Sequence, residues 1–369
     1  MAWTNSNRWQ GVGEKLVGLA LVVVLTANGR AHPLQQTSRT QEQRGDVIEL
    51  RSDLVSFTVS VVGPRGESLT TLTPENFTVY ENGERQQISH FATVDAPVDV
   101  VLAIDVSGSM RGDLETVRKA AIGFIERLRP QDRVAVVEFS RDVSLLQDFT
   151  RDRKKAKEAI KRLAPGTATS FYDALYVTAD ELLRDASARK AIIVLSDGVD
   201  SASFYDFPQA GGKLERAGVA AYFIEIDTEE YTVSRVRRGQ LTLSPEQLER
   251  YRRIYRPGDL PVRYRNPYFF TEEELAEITR ALYRLAREEI RQLAERTGGR
   301  VYPLRTLADL NAIYARIAAE LGTLYSIGYY PTNQEHDGTW RSLRVEVNIP
   351  GAHVTARSGY WAPSRKPRG

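Results

Sequence analysis

The chain has 369 residues, more than one ordinary domain needs, and its 42% hydrophobic content is enough for packed cores. The 50 Lys and Arg against 48 Asp and Glu leave a formal charge of +2, which excludes a uniformly basic surface of the kind that holds nucleic acid. With no cysteine, disulfide frameworks, thiolate metal sites and cysteine nucleophiles are excluded, and four histidines leave little for imidazole chemistry.

At the N-terminus, Arg8 and Lys15 precede an apolar run at 16–25, closed by Ala27-Asn28-Gly29. That order reads as a secretory signal peptide over 1–29. An uncleaved membrane anchor is the alternative, although the run falls short of the roughly 20 apolar residues of a span. Export to the periplasm or the extracellular space is therefore expected, with membrane contact only through this segment if it is retained. Residues 30–45 are polar and read as a flexible linker. Alternation with period two at 55–61 predicts a half-buried strand, and 63–66 a turn. A second strand at 77–80 enters a tight hairpin at Asn82-Gly83, with 88–94 as the return strand. This N-terminal part of a β domain, 46–96, is small for a core of its own.

From 97 to 322 strands alternate with helices. The nearly continuous apolar run 98–104 suits a strand covered on both faces. Further strands are expected at 134–139, 143–149 (an edge), 191–195, 219–226 and 301–302, and helices at 114–128, 156–163, 172–183, 207–217, 276–296 and 307–321. This order predicts an α/β fold: a doubly wound, mostly parallel sheet with helices on both faces, Rossmann-like in plan. The stretch 228–270 is a basic insertion within it. Residues 324–331, 340–349 and 354–361 return to period two and cannot bury a face alone. We expect them, within a C-terminal part at 323–363 that ends in a tail at 364–369, to join the first strands in one small composite all-β domain built from both flanks.

The first strand of the alternating region ends in Asp105-Val106-Ser107-Gly108-Ser109, which places one carboxylate and two hydroxyls at the carboxyl end of a buried strand, the edge where open α/β sheets bind ligands. Thr167 and Thr169 in Gly166-Thr167-Ala168-Thr169, and Asp197 in Leu195-Ser196-Asp197-Gly198, stand at two further strand ends. Taken singly, Ser107, Ser109 and Thr169 are ordinary helix caps. Taken together, three oxygen-bearing loops on one rim suit a hard divalent cation such as Mg²⁺, with Mn²⁺ or Ca²⁺ as alternatives.

Asp105-Val106-Ser107-Gly108-Ser109-Met110, Thr169 four residues before Asp173, and Leu195-Ser196-Asp197-Gly198 resemble the von Willebrand factor type A (VWA) domain with its metal-ion-dependent adhesion site (MIDAS). The resemblance covers about 97–322. The flanks, with Leu72-Thr73-Pro74-Glu75-Asn76-Phe77 before it and Ser358-Gly359-Tyr360-Trp361 after it, resemble bacterial exported proteins of the VWFA-related type. It implies that Asp105, Ser107 and Ser109 hold the metal from the first loop, Thr169 from the second and Asp197, directly or through water, from the third. Ala168 stands where the family usually has glycine, so Thr167 competes with Thr169. A cation left short of ligands by two carboxylates attracts an Asp or Glu carboxylate of a protein partner, so adhesion or assembly is the expected function, and a scaffold with a stabilising or vestigial metal site is the alternative.

Catalysis is not expected. Position 107 is Ser where a D-x-D phosphotransferase has its second acid, no G-x-S-x-G surrounds Ser107 or Ser109, and His32, His90, His336 and His353 lack the H-E-x-x-H spacing. Between Arg235 and Arg265 nine arginines face three acids, a net +6, with tyrosines interleaved. The preferred reading is a solvated insertion whose rings pack on the domain. The other is a lobe for an acidic protein, an anionic glycan or lipid headgroups, with Arg235, Arg237, Arg238, Arg252 and Arg253 as contacts. Nucleic acid is not an expected partner.

Overall fold

The computed structural model of the chain describes residues 54–364 apart from 65, 66, 95, 96, 111, 185, 187, 188 and 323. The expected signal peptide at 1–29 and linker at 30–45, the stretch up to 53 and the last five residues lie outside the described residues, and so do the side chains of Val94 and Ser109.

Four strands come first: β1 (Val55–Val62), β2 (Phe77–Glu81), β3 (Glu84–Gln86) and β4 (Ile88–Val94). The alternating region then runs β5 (Val98–Asp105), α1 (Leu114–Arg127), β6 (Arg133–Phe139), β7 (Val143–Thr150), α2 (Arg153–Lys161), α3 (Phe171–Val177), β8 (Arg189–Ser196), α4 (Phe207–Ala217) and β9 (Val219–Ile226). Helices α5 (Glu229–Arg237) and α6 (Pro245–Tyr255) belong to the insertion, and α7 (Glu272–Thr297), β10 (Arg300–Leu304) and α8 (Leu310–Gly322) complete the layer. The last strands are β11 (Leu324–Tyr329), β12 (Trp340–Val347), β13 (His353–Ala356) and β14 (Gly359–Trp361). No helix among the described residues is long and apolar enough to cross a membrane.

The central sheet has six strands in the order β10-β9-β8-β5-β6-β7, parallel except for the antiparallel edge strand β7. Strand β5 lies in its middle, and all eight of its residues are buried. Because successive side chains point to opposite faces, Val100, Leu102 and Ile104 join one core with Phe124 of α1 and Tyr314 of α8. Val101 and Ala103 join the other with Leu175 of α3, Leu214 of α4 and Ile290 of α7. Each large apolar side chain so buried is worth about 1.5–3 kcal/mol. Helix α7 starts at Glu272, ahead of the sequence-based start at 276, because Thr271 and Glu274 form a capping box.

The flanks form two four-stranded antiparallel sheets, β13-β1-β11-β4 and β14-β12-β2-β3, each interleaving strands from before and after the α/β layer. Val59, Phe77, Val79, Tyr325, Ile327 and Leu343 share their core. Two sequence expectations need correction. Asn82 and Gly83 take positive φ values of 48° and 84°, the geometry of a two-residue hairpin turn, but the return strand is β3, not 88–94. Strand β4 crosses instead to β11, where Phe91 stacks on Tyr325 with ring centroids 5.4 Å apart. The polar Glu84-Arg85-Gln86 satisfies the hairpin's backbone, while the apolar Ile88 and Phe91 pack against the shared core. The stretch expected as one strand at 354–361 is two, since β13 pairs with β1 and β14 with β12.

Candidate metal centre

Strand β5 delivers Asp105 to the carboxyl rim of the sheet, 1% exposed. Its Oδ1 accepts the Ser107 backbone N–H at 2.8 Å and its Oδ2 the Ser196 hydroxyl at 2.6 Å. The Ser107 hydroxyl also hydrogen-bonds this carboxyl. Neighbouring β8 ends in Ser196, so the next residue, Asp197, stands on the same rim. Asp197 Oδ1 accepts the Val199 N–H at 3.0 Å, and Oδ2 accepts the hydroxyls of Thr228 and, at 3.3 Å, of Tyr283.

Burial first, and then the charge of Asp197, push Asp105 up to about 7, against hydrogen bonds from Ser196 and Ser107 that act the other way. Burial also raises Asp197, opposed by its bonds from Thr228, Val199 and Tyr283. Neither carboxylate has an Arg or Lys hydrogen-bonded to it among the described residues. Two buried acids of like charge, surrounded by hydroxyls, form a donor set that fits a hard cation. A cluster of three or more His, Cys, Asp or Glu is absent among the described residues, so any cation here is held by two carboxylates with hydroxyl oxygens completing the set.

The second loop is tied to the other two. Gly166 N–H donates to the Val106 carbonyl at 2.6 Å, and a Cβ at Gly166 would fall 2.2 Å from that of Ser140, so only glycine allows the approach. The Thr169 N–H donates to Ser201 Oγ at 2.9 Å, and its carbonyl accepts the N–H groups of Ser201 and Ala202. Thr169 is buried, whereas Thr167 is exposed. Ser107, Thr167, Thr169 and Asp197 all line one cavity of about 1400 Å³. Ser109 lies in the short 3₁₀ turn Gly108–Met110 beside them. Asp113 takes the N-cap position of α1 without a side-chain cap bond. Asp173 and Asp200 have structural roles: Asp173 accepts N–H groups of Phe204 and Tyr205, and Asp200 accepts that of Phe171 at 2.9 Å, clamping the third loop to α3.

The insertion forms part of the cavity wall. Tyr231, Thr232 and Arg235 of α5, Ser244 at the N-cap of α6 and Gln247 within it line it. The interleaved rings divide into two groups: Tyr251, Tyr264 and Phe270 pack with Leu275, Ile278 and Leu282 of α7, while Tyr268 is 92% exposed. Arg250 enters a buried ion pair with Glu289 and lies 4.5 Å from the centre of the Tyr172 ring. Of the five arginines proposed as partner contacts, Arg237 pairs with Glu273 at 2.6 Å and Arg252 with Glu249 at 2.6 Å. Arg238 and Arg253 are exposed, and among the described residues Arg235 alone of the five lines the cavity. The five therefore do not act as one uncommitted patch, because internal acids neutralise two of them. Sequence reasoning missed Ser196, Thr228 and Tyr283 as partners of the two carboxylates. Ser196 was visible beside Asp197, but Tyr283 lies 86 residues on, in the middle of a long helix with no local signal.

Residues 100–199 match the family model of the von Willebrand factor type A domain. An uncharacterized protein of Synechocystis sp. is 34% identical over 106 residues, 28% of this chain and 25% of the relative. The minor fimbrium subunit Mfa5 of Porphyromonas gingivalis is 31% identical over 116 residues, 29% of this chain and 9% of that protein. The match thus spans a quarter or less of these two relatives' own lengths. Among solved structures, proximal thread matrix protein 1 of the mussel byssus, with a zinc-occupied MIDAS motif, is 14% identical with a TM-score of 0.43, covering 64% of this chain and 49% of that one.

Proposed function

This chain contains a von Willebrand factor type A domain, and on that premise we propose that it is an exported binding protein that takes up a divalent cation at Asp105, Ser107, Ser109, Thr169 and Asp197 and uses it to hold an acidic group of a protein partner. The observation that carries this reading is the pair Asp105 and Asp197, two buried carboxylates on adjacent strand ends with no Arg or Lys hydrogen-bonded to either among the described residues, the charge of Arg287 reaching only Asp197 and from a distance. A bound divalent cation supplies a positive centre with room for one further oxygen. The protein's own part is to hold the donors still: Ser196 and the Ser107 N–H orient Asp105, Thr228 and Tyr283 orient Asp197, and the Gly166 and Thr169 backbone bonds lock the second loop to both. We take binding rather than bond-breaking as the function, since position 107 is Ser where a D-x-D phosphotransferase has its second acid and no G-x-S-x-G surrounds Ser107 or Ser109. Mg²⁺ is the ion we favour for an exported protein, with Zn²⁺ and Mn²⁺ as competitors in the titration. The Mfa5 relative, a fimbrium subunit, supports a role in adhesion or assembly.

Calorimetry of Mg²⁺, Mn²⁺, Ca²⁺ and Zn²⁺ against chelator-stripped protein tests the site, followed by a short peptide carrying one Asp and its Asn control. We expect cation binding that Asp105→Ala abolishes, and Asp-peptide binding only with the cation present. Cation uptake without any gain in peptide affinity would leave a stabilising site in a scaffold. For export, N-terminal sequencing of the mature protein is expected to start near Arg30.

A further inference from the structure

A second cavity, of about 910 Å³, lies at the opposite end of the central sheet, where the parallel strands begin. Val98, Arg189 and Val219, at the starts of β5, β8 and β9, line it together with residues of the β domain. Seven residue steps of β5 separate Val98 from Asp105, about 23 Å at roughly 3.3 Å per residue, so this cavity is remote from the metal centre.

Its chemistry is also different. The charged wall residues are Arg189, Lys190, Arg216, Arg296 and Arg357 against the one acid Glu215. Arg296 and Glu215 neutralise each other at 2.6 Å, while Lys190, Arg216 and Arg357 have no ion pair among the described residues, so the cavity keeps a cationic excess in a protein whose whole formal charge is +2. Arg357 is the most telling of them. Its Nη2 donates to the Ser56 carbonyl at 3.2 Å, its Nε is buried with no hydrogen-bond partner, and the rings of Phe57 and Tyr360 flank it at 5.9 and 5.3 Å. With no acid paired to it among the described residues, this guanidinium is a cation that an incoming carboxylate would match. Burial also lowers the Arg357 pKa from its ordinary value, consistent with a cation short of an anion. Trp340 and Trp361 line the same cavity edge-to-face, with centroids 5.3 Å apart, and Trp361 remains 60% exposed. An exposed tryptophan and a guanidinium on one cavity wall offer a ring contact and a charge-assisted carboxylate contact to one ligand.

We propose that this basal cavity binds a carboxylate carried next to a flat ring, with Arg357 as the carboxylate contact and Trp361 as the ring contact. Such a group comes either from a small free acid or from the aromatic C-terminus of a peptide. Calorimetry separates these, run in EDTA so that the metal centre is silent: 2-naphthoate against 2-naphthamide, and a Gly-Gly-Gly-Gly-Phe peptide as free acid against its amide. We expect at least one acid to bind tenfold or more tighter than its amide, the naphthoate leading if the ligand is a small acid and the peptide leading if it is a chain terminus. Arg357→Gln should cut that preference below threefold, with circular dichroism reporting its fold. If that variant does not fold, the exposed Arg216→Gln should reduce the preference in the same direction by about threefold, and Trp361→Ala should weaken acid and amide alike. Equal affinity for acid and amide, no binding of either up to millimolar concentration, or a preference that survives the folded arginine variants would overturn the proposal. Asp105→Ala leaves all of these results unchanged, so failure here and failure of the metal centre are told apart.

Discussion

Asp99 and Asp105 stand on one strand, 0% and 1% exposed, yet the protein treats them differently. At the base of β5, Asp99 accepts two bonds from the Arg133 guanidinium at 2.7 and 2.5 Å, and the nearby Asp132 accepts the Arg129 guanidinium at 2.9 Å and the Val98 N–H at 3.0 Å. At the rim, Asp105 has hydroxyl and amide donors and a second acid for company. Burial alone therefore does not mark a functional carboxylate. What separates the two ends is how the fold supplies counter-charge: at the base an arginine bonds the carboxylate directly, whereas at the rim Arg287 acts on Asp197 only from a distance and, on the proposed reading, a cation from outside the chain completes the balance.

The largest test of this contrast is at the base. Asp99→Ala leaves the Arg133 guanidinium without its partner in a site one-third exposed, and we expect a loss of about 3 kcal/mol in denaturant unfolding that is the same with and without cation. Next comes pH. The folded-state pKa of Asp105, about 7, lies above its ordinary value of 3.8, so the folded protein holds the proton more tightly than the unfolded chain. Metal-free stability should thus fall as pH rises from 4 toward 7 and level off above, a slope that Asp105→Asn removes. Adding cation should restore it at pH 8 and do little at pH 5, where the proton occupies the carboxylate. A cation response that is equal at both pH values would count against Asp105 as a ligand.

Smaller effects sharpen the rim. Asp105→Asn removes one of two like charges, and we expect the metal-free protein to gain about 1.5 kcal/mol at pH 7.5 while losing any rise of Tm with cation. Thr169→Val should weaken cation binding about tenfold, about 1.4 kcal/mol, and Thr167→Val should leave it unchanged. The reverse ranking would reassign the second-loop ligand to the exposed threonine.

Much of this molecule is legible along the chain. The unbroken apolar run of β5 announces a strand covered on both faces, and Asp105, Ser107 and Asp197 follow from their places at strand ends, because parallel crossovers bring those ends to one rim. The strands of both flanks announce themselves by period two. Their partners do not: β4 leaves its hairpin for β11, and the chain breaks between β13 and β14 to serve two sheets.

Sequence by itself determined the order of elements, the alternation that divides β5 between two cores, and the oxygen-bearing residue types at three strand ends, since these depend on local periodicity and on nearest-neighbour turns. Tertiary structure alone decided that Tyr283 and Thr228 hold Asp197, that Arg250 is spent on Glu289, and that Arg357 faces a cavity with an unpaired Nε. The reason is that a charge's partner is whatever packing brings within a few ångströms, and for Asp197 and Tyr283 that meeting spans 86 residues of chain with no periodic signal to foretell it.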